Sequence, residues 1–252
     1  QSLNRYAYVL NNPLRFVDPS GHVPIIDAGD GVGSFTSPPE TPVSGDVVAN
    51  WLIYDEMLPN AQSPIALTIE RLNAMAVRLL RDEAQKVLRN GPEKSDSLIL
   101  ILAAYAKVEA YRQWKSMVQT GAPWDHKPYI LSRFGAIAWH DGYGYRFDIW
   151  SNIHYGYVGR KVGLSRTELL AGAGAAQIMD GTSQLGYWGS WFDDPYDQAS
   201  IRIGIELYER YQLNVTPAQF WQVFDDYAGL LPRRGMEPRF GTGSAGGNGG
   251  YR

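Results

Sequence analysis

Asp125, His126 and Lys127 stand in consecutive positions behind a glycine and a proline, in Gly121-Ala122-Pro123-Trp124-Asp125-His126-Lys127-Pro128. On a loop, an acceptor, an imidazole and an ammonium so placed can all turn toward one phosphate. Cleaving RNA without a metal needs that set: a base for the 2′-hydroxyl, an acid for the 5′-oxygen and a cation for the anionic transition state. The competing reading is a solvated loop with Trp124 anchored in the core.

A second polar and aromatic segment runs from Phe147 to Arg160. If it is extended, Asn152 and His154 share a face, because i and i+2 point the same way along a strand. Gly156 and Gly159 would then let a ligand approach the backbone closely. Asp148, Tyr155 and Tyr157 join Trp124 as candidate substrate contacts. Equally, the segment could be an aromatic core strand whose polar residues satisfy backbone groups. A third segment, Trp191 to Gln198, clusters Asp193, Asp194 and Asp197. Asp194 before Pro195 fits a helix N-cap, with Asp197 in the first turn. Asp193, Asp197 and Gln198 are left for chemistry or substrate contact. No His-x-x-x-His pair or acidic loop of metal-binding spacing occurs, so no metal or other cofactor is expected. His140, beside Asp141 and Gly142, reads as loop surface, and Glu109 as the partner of Arg112.

The elements that must position these residues are mostly helical. Ser63-Pro64 fits an N-cap and a first-turn proline, followed by Ile65, Ile69, Leu72, Ala76, Leu79 and Leu80 at helical spacing up to Gly91. A helix is expected over roughly 96–119. Ser165-Arg166-Thr167-Glu168 has capping-box form and opens another, toward Ile178. Asp194-Pro195 opens a helix to Tyr211, and Thr216-Pro217 opens the last, ending near Gly229. Tyr143 to Trp150 alternates and is aromatic, which predicts a short strand. The expected fold is therefore mainly α with a small β element. One globular domain over 47–232 follows a leader (1–22) and a linker rich in proline and glycine (23–46), and a glycine-rich tail (233–252) is expected to be disordered.

Of the 252 residues 44% are hydrophobic and 19% charged, enough apolar surface for a sizeable core. The formal net charge of −3 gives no general pull toward nucleic acid, although a local basic patch is compatible with it. With no cysteine, disulfides, thiolate chemistry and Cys-based zinc sites are excluded. No basic segment with an apolar core opens the sequence, so no signal peptide is expected in it. The longest apolar run, Leu98 to Ala104, is too short to span a bilayer.

Asn4-Arg5-Tyr6-Ala7-Tyr8-Val9-Leu10-Asn11-Asn12-Pro13, followed by Asp18-Pro19-Ser20-Gly21, resembles the closing motif of the RHS-repeat core. In that family a variable toxin tip follows a β-rich shell. The pieces Gly121-x-Pro-Trp-Asp-x-Lys127, Asn152-x-x-Tyr-Gly-x-x-Gly159, Ala173-Gly-Ala-Ala-Gln177 and Asp193-Asp-Pro-x-Asp-Gln198 together resemble the bacterial toxin 44 family over roughly 105–212. That family is described as predicted ribonucleases.

The resemblance implies an effector of interbacterial competition. It would be secreted as part of a larger toxin, delivered into a target cell and held by an immunity protein. On this reading RNA is cleaved without metal. His126 or His154 acts as acid or base and Lys127 holds the phosphate. Asp125, Asn152, Asp194 and Asp197 complete the set of catalytic candidates.

The rival is a peptidoglycan hydrolase, favoured by the near-zero charge and by eight Trp and sixteen Tyr that could stack on sugars, with Asp148, Asp194 and Glu109 available as paired carboxylates. A non-enzymatic binding tip is the third reading. Membrane insertion is not expected, since no long apolar or basic amphipathic helix is visible.

Overall fold

The computed structural model describes residues 42–171 and 195–235, the latter with side chains from residue 198, and the paired strands β1 (Phe16–Val17) and β2 (Ile25–Ile26). Within this region the chain is a single globular, mainly α-helical domain with a small four-stranded sheet. Asp193 and Asp194 lie outside the described residues, as do the side chain of Asp197 and the expected continuation of the Ser165 helix toward Ile178. Among the described residues no helix is long and apolar enough to cross a membrane.

Strand β3 (Val43–Ser44) leads directly into α1 (Gly45–Trp51), a π-helical turn (Leu52–Met57) and α2 (Leu58–Ala61). The wide turn ends where the Leu58 N–H reaches back to the Ile53 carbonyl, just before Pro59, which has no N–H to continue the ladder. Helix α3 (Pro64–Asn90) starts at Ser63, whose side chain accepts from the Ala66 N–H. It stops at Gly91, where φ is 92°. Helix α4 (Ser97–Val118) packs back along it through small residues such as Ala76, Ala103 and Ala106.

The loop after α4 is a compact turn. The Trp124 N–H bonds the Met117 carbonyl at 2.8 Å, and the Asp125 carboxylate accepts from the Gly121 N–H at 2.9 Å. Pro128 then helps start α5 (Lys127–Phe134). Strands β4 (Ile137–His140) and β5 (Tyr143–Arg146) form a hairpin whose two-residue turn, Asp141-Gly142, has positive φ at both positions, the type I′ geometry that Asp-Gly favours. The sheet order is β3-β4-β5-β6, with β3 parallel to β4, and β6 (Arg233–Gly235) antiparallel to β5.

The predicted strand from Tyr143 holds only to Arg146. From Phe147 the chain is helix α6 (Phe147–Lys161), the central element of the fold. It is buried almost all round, so no polar face marks its period in the sequence. Helix α7 (Arg166–Leu170) opens with the expected Ser165–Glu168 capping box.

Helix α8 (Pro195–Tyr211) crosses α6 at two glycines. A Cβ on Gly156 would lie 2.2 Å from the Ile201 carbonyl oxygen, and one on Gly204 2.0 Å from that of Ile153. Gly156 thus serves helix–helix contact rather than a ligand, and a Cβ on Gly159 would meet Leu169. Helix α9 (Pro217–Tyr227) opens at Thr216-Pro217 as expected, and Thr216 and Gln219 form a capping box there. Its Phe220 and Phe224 stack on Trp150 of α6.

Candidate functional site

The turn between α4 and α5 drops Trp124 and His126 inward, and α6 presents His154 to meet them. The two imidazoles touch: their ring centroids are 4.1 Å apart and their planes cross at 86°. Both are nearly sealed from solvent, at 4% and 1% exposure. Trp51 of α1 meets the edge of His126, and Trp124 that of His154. Trp124 itself packs on Trp114, so it forms a wall of the site.

The π-helical turn and α2 supply two further groups. Glu56 Oε2 lies 3.5 Å from His126 Nε2. Asn60, one turn on from Glu56, donates through Nδ2 to Glu56 Oε2 at 3.0 Å and stands 3.0 Å from His154 Nε2. An amide nitrogen carries two protons and can serve both neighbours. Donation to His154 Nε2 leaves that imidazole its proton on Nδ1, and Nδ1 is buried without a hydrogen-bond partner. His126 Nε2 is likewise buried without a hydrogen-bond partner, its contact with Glu56 being a longer approach of 3.5 Å. Glu56 reaches solvent, with 24% of its side chain exposed, and Asn60 is likewise only partly buried.

Burial sets the charge states. It lowers His126 to about 4 and holds His154 well below the ordinary imidazole value, the latter aided by the proximity of His126. Burial also raises Glu56 above the ordinary glutamate range; the Asn60 hydrogen bond opposes this and the neighbouring Asp55 adds to it. Two neutral imidazoles therefore face a carboxyl that holds its proton more tightly than usual.

Several residues that the sequence suggests for chemistry have other partners. Asp125 braces the turn by accepting from the Gly121 N–H. The consecutive triplet thus separates: Asp125 into the turn, His126 inward, and Lys127, half-buried, at the start of α5. Asn152 and His154 lie on a helix, where i and i+2 do not share a face, so they do not act from one side as an extended segment would allow. Asn152 is nonetheless buried.

Asp148 accepts from Arg146 at 2.9 Å through Oδ2, while its Oδ1 is buried and unpartnered. Tyr155 packs on Trp114, and burial pushes its hydroxyl up to about 12. The buried Tyr157 donates to the Gln212 carbonyl at 2.5 Å, which makes it a tie between α6 and the end of α8. Gln198 sits half-buried on α8. His140 is not loop surface. It ends β4, stacks on Trp221 with centroids 3.5 Å apart, and contacts Asp225 at 3.1 Å. Glu109 pairs with Arg112 through both carboxylate oxygens and is lowered to about 2 by it. Among the described residues, no group of three or more His, Asp or Glu is arranged to hold a metal ion.

Residues 113–210 match the family model of bacterial toxin 44. This chain carries a bacterial toxin domain. The matched span contains His126 and His154, whereas Glu56 and Asn60 precede it. Among curated proteins and among solved structures, nothing matches the chain.

Proposed function

We propose that this toxin domain is a hydrolase that cleaves RNA without a metal, using the imidazoles of His126 and His154. The observation that carries the reading is their direct contact beside a carboxyl group, assembled from the turn before α5, from α6 and from the π-helical turn. A neutral imidazole has a lone pair ready to take a proton at neutral pH, which is the property of a general base. His126 is the base in this reading: it removes the 2′-hydroxyl proton as the 2′-oxygen attacks phosphorus. His154, fixed by Asn60, presents a buried N–H to the reacting group. Lys127, the residue after His126 at the N-terminus of α5, supplies the cation for the phosphate, where the helix dipole adds to it. An RHS-type parent, a cognate immunity protein and delivery into a target cell belong to the same proposal.

One observation favours a glycan hydrolase instead. Glu56 is a partly exposed carboxyl whose proton affinity is raised by burial, which is what a glycosidase acid requires. The compartment of toxicity separates the two. The domain is expressed in a bacterium with and without an export signal, and total RNA is run alongside. The ribonuclease reading predicts killing and RNA fragmentation without export. Killing only on export, with intact RNA and soluble peptidoglycan fragments, would replace it with the glycan hydrolase.

A further inference from the structure

We propose that Glu56 is the general acid that complements His126, an inference that rests on the RNA-cleaving reading above. No motif points to Glu56; it enters through the fold. The π-helical turn carries it to within 3.5 Å of His126 Nε2, and Asn60, one turn on, holds the same carboxyl oxygen at 3.0 Å. The groups facing it are His126 from the turn before α5, Asn60 from α2 and its own neighbour Asp55; His154 from α6 is reached through Asn60.

Burial disfavours charge on both members of the pair, raising the Glu56 carboxyl and lowering the His126 imidazole, and on this assignment the carboxyl carries a proton beside the neutral imidazole. Two titratable groups whose environments push their proton affinities in opposite directions mark an acid and a base. His154 is a poor candidate for the acid. Its buried Nδ1 proton can be given up only by forming an imidazolate, since Asn60 offers its Nε2 no second proton to replace it.

The step balances. The 2′-oxygen bonds phosphorus and its proton goes to His126. The bond from phosphorus to the 5′-oxygen breaks, and that oxygen leaves with the Glu56 proton. The pair ends as Glu56 carboxylate and His126 imidazolium, an ion pair at the observed separation. A proton moving from one to the other restores the starting state. Asn60 is the positioning residue of this arrangement, since it fixes both the Glu56 oxygen and the His154 tautomer.

The test removes the need for the acid. An oligoribonucleotide that the wild type cuts is compared with the same strand carrying sulfur in place of the bridging 5′-oxygen at the cut, because a thiolate leaves without a proton. Glu56→Gln is expected to slow cleavage of the natural linkage by about 10²–10⁴-fold, the usual share of general acid–base catalysis, and to cut the sulfur linkage near the wild-type rate. His126→Gln is expected to be slow on both. Equal losses on both linkages in Glu56→Gln would overturn the assignment.

Titration of the wild-type Glu56 carboxyl carbon by NMR stands beside this. It serves if Glu56→Gln fails to fold, and it serves if the wild type cuts no RNA, in which case the substrate reading falls by itself. Titration above the ordinary glutamate range supports a proton-bearing Glu56, and titration at or below that range overturns it.

Discussion

His126 and His154 are 28 positions apart in the chain, yet their rings meet edge to face with centroids 4.1 Å apart and are shielded by Trp51 and Trp124. Two imidazoles so placed cannot both be charged at modest cost. Burial keeps each of them neutral, and that couples folding to pH.

The sign follows from the shift. His126 takes its proton near 6.5 when unfolded and near 4 when folded. The stability of the folded state is therefore whole at neutral pH and falls as pH drops from about 6.5 to about 4, because only the unfolded chain binds the proton in that window. A shift of this size corresponds to about 3 kcal/mol, and His154 adds to it in the same direction. Glu56, shifted upward, works the other way above pH 4.5 and offsets part of the loss. Urea unfolding at pH 7, 5.5 and 4.5 is expected to show a steady drop that is smaller in His126→Gln. A flat profile would show that the imidazoles are not held neutral.

The crossing of α6 and α8 depends on missing side chains. Gly156→Ala and Gly204→Ala each place a methyl group about two ångströms from a facing carbonyl oxygen. Overpacking of this kind costs about 1–3 kcal/mol or more, against about 1 kcal/mol that alanine returns through helix propensity. Each variant is expected to lose stability in urea. A neutral or stabilising Gly156→Ala would mean that the helices do not meet there.

Asp125 is assigned to the turn, so Asp125→Ala is expected to lose about 1 kcal/mol with the hydrogen bond to Gly121 and to cleave substrate at a rate close to wild type once folded. Collapse of the rate with an unchanged melting temperature would return Asp125 to the chemistry.

What the sequence made legible was punctuation. Ser63-Pro64, Ser165 with Glu168, and Thr216-Pro217 with Gln219 begin helices as their capping chemistry requires. Gly91 ends one, and Glu109 with Arg112 is the surface pair that helical spacing suggests. Local rules suffice there because the partners are within four residues. Helix α6 was not legible: its aromatic and β-branched residues mimic a strand, and a helix buried on every side shows no polar face.

The sequence marks His126 and His154 as candidates, but for a shared loop and strand geometry that the fold does not use. No local motif marks Glu56 and Asn60, because the contact between Asn60 and His154 spans 94 positions. The available signal was an i,i+4 pair of polar residues, Glu56 and Asn60, in a mostly apolar stretch ending at Ser63-Pro64.

Cleavage of purified RNA in EDTA by wild type, His126→Gln and His154→Gln tests the central claim most directly. The account predicts that the wild type cuts RNA in the presence of the chelator and that each substitution slows it by about 10²-fold or more while the helical circular dichroism is kept. RNA left intact by the wild type, or cut equally well by both variants, would contradict it.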